Sequence, residues 1–166
     1  MEITTDIILK GEEWDKAMTI FSPIFANRSH YEIFMLSLSI GILYDKRIDK
    51  LPASDQYEKS VPRNVLQNND NGKLDTFFQA AILSTSTESF TEDQRLDLAF
   101  GDKPNPEFNK LHFLTQFANY GVTKLNELAG TTNLDTMDKI KNFVVQTVEG
   151  RNLEIDSLSD DILAEE

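Results

Sequence analysis

The sequence predicts an all-α protein, a multi-helix bundle around a buried central helix, with a short N-terminal strand as the one exception. Apolar residues recur at three- and four-residue spacing along most of the chain, and helix-capping residues precede several of these stretches. A length of 166 residues, 40% of them hydrophobic and 27% charged, is typical of one globular domain. We place that domain at residues 1–150 and an acidic C-terminal tail at residues 151–166.

The first helix is predicted over residues 11–26. This stretch carries one apolar stripe at helical spacing, formed by Trp14, Met18, Phe21 and Phe25. Pro23 lies inside it and predicts a kink or a break into two short helices. The preceding stretch from Ile3 to Leu9 fits either a short strand or an ordered arm.

The central helix is predicted over residues 31–44, after Ser29 as an N-cap. This stretch is apolar nearly all the way round. Since a helix that is apolar on every face is buried on every face, we expect it at the centre of the bundle. Gly41, with Ser37 and Ser39, would allow neighbouring helices to approach closely.

Residues 51–73 are predicted to be mostly loop, because they are polar and contain two prolines. Within them, the run from Gln67 to Gly72 resembles a calcium loop only briefly. The first and last ligand positions lack carboxylates, so we interpret the run as a turn. A buried helix is then predicted over residues 74–84.

The three remaining helices have clear start and stop signals. Thr91 to Gln94 has the form of a capping box and starts a short helix that Gly101 ends. Asn105-Pro106-Glu107 starts a long helix that ends at Gly130. Its apolar seam consists of Leu111, Leu114, Ala118, Gly121, Leu125 and Leu128. Asp135 is expected to cap a last helix that ends at Gly150, with Met137, Ile140, Val144 and Val148 on one face.

The charge of the chain is strongly acidic and unevenly distributed. Sixteen basic and 28 acidic residues give a net charge of −12, and residues 84–166 carry most of it. The only cationic cluster is Lys46, Arg47 and Lys50. Since an acidic chain repels a phosphate backbone, we expect no direct DNA binding by this chain alone. No apolar stretch is long enough to cross a bilayer and no signal-peptide pattern is present, so we expect a soluble cytoplasmic protein without membrane contact.

The residues that carry common enzyme chemistry are nearly absent. Without cysteine the chain has no disulfide, thiolate zinc site or cysteine nucleophile. His30 and His112 lack the spacing of a metal motif, and there is neither a nucleophile elbow nor a glycine-rich phosphate loop. We therefore expect no enzymatic activity, no catalytic residue, no cofactor and no metal. An enzyme with a site built from scattered acids is the alternative that we rank last.

The C-terminal segment 152–166 contains six acidic and no basic residues. Ile155, Leu158 and Ile162 fall on one helical face, which is typical of an acidic helix that docks into a groove of a partner. The alternative is a final helix or frayed end that lies on the protein's own core. The candidate partner-binding residues of this segment are Leu158, Asp160, Asp161 and Ile162.

A second candidate surface lies beside the seam of the long helix, where Phe113, Phe117 and Tyr120 occur. These aromatic residues widen the apolar stripe beyond what one neighbouring helix covers, so we expect some of them to face another chain. A homo-oligomer or a stable complex with another protein would follow. The alternative is that they close the domain's own core.

The stretch from Glu32 to Gly41, followed by Tyr44-Asp-Lys-Arg47 and a proline loop, resembles a group of small bacterial helical proteins. These are encoded beside DNA phosphorothioation (Dnd-type) genes and related phage-defence operons. The blocks Phe77–Ile82 and Phe117–Val122 fit the same group, so the resemblance covers about residues 30–130.

The resemblance implies a non-catalytic accessory or adaptor subunit of a defence complex against foreign DNA. Its partner would be a larger protein subunit, such as an ATPase, a nuclease or a DNA-modification enzyme. The alternative is an acidic, phage-encoded inhibitor that mimics DNA and blocks a nucleic-acid-binding partner. The net charge of −12 favours that alternative, but a DNA mimic should array its carboxylates over one face.

Overall fold

The computed structural model describes residues 3–25, 29–52, 58–101, 108–148 and 150. The elements of this part of the chain are β1 (Ile7–Lys10), α1 (Glu12–Phe25), α2 (Ser29–Leu43), β2 (Glu58–Val61), α3 (Arg63–Asn69), α4 (Lys73–Ser84), α5 (Glu92–Phe100), α6 (Lys110–Glu127) and α7 (Asn133–Val148). The predicted all-α class and the short N-terminal strand are therefore confirmed. The chain divides into two units, Met1–Glu127 and Leu128–Glu166. The predicted tail lies outside the described residues.

The core of the first unit is the crossing of α2 and α6. A Cβ at Gly41 would collide with the backbone of Phe117, and a Cβ at Gly121 would collide with the backbone of Ser37. The two helices can approach this closely only because glycine has no side chain. Of the small residues Ser37, Ser39 and Gly41 that were predicted to allow a close approach, Ser37 and Gly41 lie at the crossing with α6. The hydroxyl of Ser39 instead donates to the carbonyl oxygen of Met35 within α2.

The burial of α2 follows from its apolar composition, which leaves almost no polar face. Its buried side chains are Tyr31, Ile33, Phe34, Met35, Ser37, Leu38 and Ile40. Only a helix surrounded by other elements can bury residues in so many directions. α2 is thus a central helix as predicted, and α6 is buried to a similar extent along its seam.

α1 packs against this pair through Trp14, Ala17, Met18 and Phe21, which are all buried. The indole Nε1 of Trp14 donates a 3.0 Å hydrogen bond to Oδ1 of Asn119 on α6. Asn119 in turn donates from Nδ2 to the carbonyl oxygens of Ile48 and Asp49, at 3.1 and 3.3 Å. Pro23 lies in the last turn of α1, and the helix continues past it as one element.

The prediction that residues 51–73 are mostly loop is wrong for β2 and α3. β1 and β2 form an antiparallel pair in which Ile7 lies opposite Val61 and Lys10 opposite Glu58. β2 has only four residues, three of them polar, so its own sequence carries no strand pattern. Its strand conformation depends on β1, whose Ile7 and Leu9 are buried.

The starts of α2 and α6 differ from the prediction, and that of α5 is confirmed. α2 begins at Ser29 itself, which was expected to precede the helix as its N-cap. Phe108 and Asn109 are not helical, so α6 begins at Lys110, and Asn109 accepts the backbone N–H of His112 at 2.9 Å. Residues 105–107, the predicted start, lie outside the described residues. The capping box of Thr91 and Gln94 is present at the start of α5. Along the described ranges, no helix is both long and apolar enough to cross a membrane.

Candidate protein-interaction surface

α7 begins with a cap that differs from the predicted one. Oγ1 of Thr132 accepts the backbone N–H of Asp135 at 3.1 Å, so Thr132 is the capping residue. The carboxylate of Asp135 accepts the backbone N–H of Thr131 at 2.8 Å, and Lys139 lies 3.6 Å away. This backbone hydrogen bond, aided by the charge of Lys139, holds the pKa of Asp135 below its usual value. The start of α7 is therefore firmly defined by its own sequence.

One face of α7 exposes large apolar side chains. They are between 45% and 84% exposed and comprise Leu134, Met137, Val144, Val145 and Val148. These residues lie at helical spacing on one side of the helix, and we call them the α7 stripe. Soluble proteins rarely leave a contiguous apolar face of this kind uncovered unless something binds to it.

The other side of α7 is polar and solvent-facing. It carries the ion pair of Asp135 and Lys139, followed at helical spacing by Asn142 and Gln146, which are both exposed. Lys141 is also exposed, but it lies four residues from both Met137 and Val145 and therefore within the α7 stripe. The stripe thus combines apolar side chains with one cation near its middle.

The structure places the sequence-predicted partner residues in three different situations. Phe113 and Phe117 are 4% and 1% exposed, so the alternative that they close the chain's own core holds for both. Tyr120 is half-buried and meets Tyr44 edge to face, at 6.0 Å between ring centroids. Leu158, Asp160, Asp161 and Ile162 lie outside the described residues.

The α7 stripe was only partly foreseen from the sequence. The sequence places Met137, Ile140, Val144 and Val148 on one face. Ile140 is half-buried and does not belong to the α7 stripe, whereas Leu134 and Val145 do. Two features of the α7 sequence bear on whether its apolar face is exposed: the polar start of the helix and the short side chains of Val144 and Val145. Neither feature distinguishes an apolar face that packs against the core from one that is exposed.

Arg47, the central residue of the cationic cluster that follows α2, packs against the core. The guanidinium of Arg47 lies 4.9 Å from the ring centroid of Phe113 and 5.5 Å from that of Phe117. It also makes a 2.7 Å ion pair with Glu88 and donates to Oγ1 of Thr87 at 3.1 Å. With its side chain only 15% exposed, Arg47 has a structural role and offers no charge to a phosphate.

Asp45 anchors the loop that follows α4. Its carboxylate accepts hydrogen bonds from Oγ1 of Thr85 at 2.5 Å, from the backbone N–H of Ser86 at 2.7 Å and from Oγ of Ser86 at 2.8 Å. Burial raises the pKa of Asp45, but the hydrogen bonds from Thr85 and Ser86, with the charge of Arg47, outweigh it and leave the pKa lowered. Asp45 is thus held as a charged group.

The two histidines differ in their surroundings. Nδ1 of His30 lies 3.1 Å from the carbonyl oxygen of Ser60, which ties α2 to β2. His112 is exposed, and its Nε2 lies 3.1 Å from Oδ1 of Asp49. Among the described residues, no group of three histidines or carboxylates is placed to hold a metal ion.

The run from Gln67 to Gly72 was interpreted as a turn, which holds only for its second half, because residues 67–69 are the last turn of α3. Asp70 accepts the backbone N–H groups of Leu74 and Gly72 at 2.9 and 3.1 Å, and so starts α4. A shallow cavity of about 260 Å³ lies beside it, lined by Ile3, Gln67, Asp70, Asn71, Gly72 and Asp75. The lining offers two carboxylates, of which that of Asp70 is engaged by backbone N–H groups, and no hydroxyl or thiol nucleophile.

Comparisons with known protein families, with curated proteins and with solved structures give no match. The candidate surface therefore rests on the geometry of α7.

Proposed function

We propose that this chain is a non-catalytic accessory or adaptor subunit of a cytoplasmic, bacterial anti-phage defence complex, and that it acts by protein–protein interaction. The observation that carries the proposal is the α7 stripe. Five large apolar side chains on one exposed helix face form the kind of surface that a groove on a larger protein covers. The partner would be an ATPase, a nuclease or a DNA-modification enzyme.

The resemblance to proteins of defence operons supplies the biological context of this proposal. Its blocks Glu32–Gly41, Phe77–Ile82 and Phe117–Val122 belong to α2, α4 and α6. The resemblance therefore concerns the helices that build the core, whereas the α7 stripe is the surface offered to the partner. The acidic segment 152–166 supplies a second candidate contact, with Leu158, Asp160, Asp161 and Ile162 as its partner-binding residues.

The alternative of an acidic DNA mimic is less well supported. A mimic needs carboxylates that are free and arrayed over one face. Asp45 is instead bound by Thr85 and Ser86, Glu88 by Arg47, and Asp135 by Thr131. Because these carboxylates are bound within the fold, they support the adaptor function over the DNA mimic.

The test combines phage challenge with purification from the native host. Deletion of the gene should raise the plating efficiency of a phage that the defence system restricts. The tagged wild-type chain should restore defence and co-purify with a larger subunit in fixed stoichiometry. A double variant, Val144→Asp with Val148→Asp, should lose both properties, because two buried charges would be left unpaired in the interface.

Asn142→Asp with Gln146→Asp is the matched control, because it adds the same two negative charges to the exposed polar side of α7 and should leave defence and co-purification intact. If deletion of the gene does not change phage plating, the defence function is wrong. If the double variant and the control behave alike, the α7 stripe is not the binding surface.

A further inference from the structure

A second exposed apolar surface lies within the first unit, where α5 packs against α4. Leu96 and Phe100 are 44% and 60% exposed and lie one helical turn apart on α5. Leu83 of α4, which is 42% exposed, borders them, because Gln79 one turn before it donates to the carbonyl oxygen of Ala99 at 3.2 Å. We call the three exposed side chains, Leu83, Leu96 and Phe100, the α4–α5 patch. Large apolar side chains that lie exposed next to one another indicate a binding surface.

The α4–α5 patch is bordered by negative charge. Three exposed carboxylates lie beside it on α5, namely Glu92, Asp93 and Asp97. Within the described part of the chain, none of the three is paired with a cation. Arg95 of the same helix is engaged elsewhere, because its guanidinium donates to the carbonyl oxygens of Ile82 and Glu88 at 2.7 and 2.9 Å. The described residues therefore leave this border unneutralised.

Asp97 also lines a small cavity of about 100 Å³. The other lining residues are Phe90, Gln94, Leu98 and Phe108. The rings of Phe90 and Phe108 meet edge to face, with 5.9 Å between their centroids. Aromatic rings beside a carboxylate attract a lysine or arginine side chain, since its methylene stem packs on the rings while its charged end pairs with the acid. The cavity thus suits a cationic side chain.

We propose that the α4–α5 patch binds a cationic amphipathic helix of a partner protein, which places a lysine or arginine side chain in the cavity beside Asp97. Charge complementarity selects this occupant. A second copy of this chain, with its net charge of −12, a nucleic acid and an anionic membrane surface would all be repelled by the carboxylate border. The apolar centre of the patch distinguishes it from a DNA mimic, and an apolar surface shared by two helices is typical of a site that binds a third.

This inference does not rest on the proposed function. The α4–α5 patch belongs to the first unit and the α7 stripe to the second. Their charges are also opposite, because carboxylates border the patch whereas Lys141 lies within the stripe. The two surfaces therefore select different partners, and an adaptor that carries both would join two proteins.

Fluorescence anisotropy with a labelled synthetic peptide tests the inference on the full chain. The probe is a helical peptide of about 18 leucine and lysine residues, with the leucines along one side. It should bind the wild-type chain saturably at physiological salt. The same peptide with serine in place of leucine should bind at least about tenfold more weakly, because the patch contributes apolar burial as well as charge.

The apolar part of the patch is tested by Leu96→Ser with Phe100→Ser, which should weaken binding of the leucine–lysine peptide at least about tenfold. The matched control is Val144→Ser with Val148→Ser, which removes two exposed apolar side chains from α7. This control should bind the peptide as the wild-type chain does, because Lys141 within the α7 stripe repels a cationic helix. All four positions are exposed, so circular dichroism should be unchanged in both variants.

The charged border is tested by Asp93→Asn with Asp97→Asn, which should also weaken binding of the peptide at least about tenfold. The matched control is Glu12→Gln with Asp15→Asn, which removes two exposed carboxylates from the first turn of α1. The net charge of the two variants is the same, so a difference between them reports the position of the charge.

Equal weakening in a variant and its control would overturn the inference, since binding would then follow the general charge or apolarity of the chain. Equal binding of the leucine and serine peptides would also overturn it and is the outcome expected of a DNA mimic. Failure of the leucine–lysine peptide to bind the wild-type chain would do the same. None of these results depends on phage plating or on co-purification through α7, so this inference and the proposed function fail separately.

Discussion

Asp45 connects the end of α2 to the loop after α4 through three hydrogen bonds, and it accepts all three only as a carboxylate. Its neighbour Arg47 contacts the same loop through Thr87 and Glu88. The two side chains together fix the position of residues 85–88 within the first unit. This role makes the stability of that unit depend on pH.

We expect Asp45→Asn to lower the free energy of unfolding at pH 7 and to have a much smaller effect at pH 3. The pKa of Asp45 is lowered in the folded chain. Its contribution is therefore complete above the unfolded pKa of about 3.9 and is lost as the pH falls through the folded value. Urea denaturation at the two pH values, followed by circular dichroism, measures the difference.

Asparagine tolerates the left-handed backbone at this position, where φ is 46°, so the variant tests the charge and not the turn. Asp138→Asn on the exposed side of α7 is the control and should have little effect at either pH. An Asp45→Asn effect of equal size at pH 7 and pH 3 would show that the charge is not what matters.

Gly121→Ala should destabilise the protein, by about 1–3 kcal/mol. Alanine normally stabilises a helix relative to glycine by about 1 kcal/mol, so the expected sign is opposite to that of helix propensity. The reason is that the new Cβ would meet the backbone of Ser37, which cannot move without shifting α2. Gly41→Ala should act in the same direction through Phe117. A gain in the urea midpoint for either variant would contradict the close crossing of α2 and α6.

At the scale of elements, α2 offers a graded test of burial. Ile40 is 2% exposed, whereas Leu36 is half-buried. Ile40→Ala should therefore lower the free energy of unfolding by about 2–5 kcal/mol, and Leu36→Ala by clearly less. If neither variant changes thermal unfolding, α2 is not a core helix.

Most of the helices could be predicted from the sequence because each of them carries its own signal. The exception is α3, a short and largely polar helix within the stretch that was expected to be loop. The apolar run of α2 and the capping box at Thr91 are local features, and both are found where they were expected. β2 could not be predicted, because its strand conformation comes from pairing with β1. The start of α6 was misplaced because Asn105 and Asn109 are both plausible caps, and tertiary packing decides between them.

The candidate site was harder to predict than the fold. Periodicity identifies an apolar face but not what covers it, so Phe113 and Phe117 were assigned to a surface although they pack around Arg47. The α7 stripe has smaller side chains than these phenylalanines, yet it is the exposed one. The difference lies in the number of neighbouring elements, which no single helix sequence encodes.

At the scale of the whole molecule, the acidic charge predicts that the isolated chain does not bind duplex DNA at physiological salt. Net repulsion from the phosphate backbone opposes approach, and Arg47 cannot leave its position between Phe113, Phe117 and Glu88. A gel shift at low salt is the strictest measurement. DNA that carries phosphorothioate groups should behave in the same way, because recognition of sulfur still requires contact with the backbone.

Tight binding would contradict this prediction, and Lys46→Ala with Lys50→Ala would then be the variants to examine. Both lysines are exposed, so neither substitution should disturb the fold. Arg47→Ala is unsuitable for this purpose, because it would leave Glu88 without its partner and expose the aromatic rings below.

The fluorescence of Trp14 reports on the first unit alone. It is the single tryptophan of the chain, it is fully buried, and its ring stacks on Phe34 of α2 while its Nε1 binds Asn119 of α6. Its emission therefore reports the joint contact of α1, α2 and α6, whereas Leu128–Glu166 contributes no indole signal. Circular dichroism, in contrast, measures the helical content of both units. A thermal scan that records both signals can thus separate the melting of α7 from that of the first unit without any label.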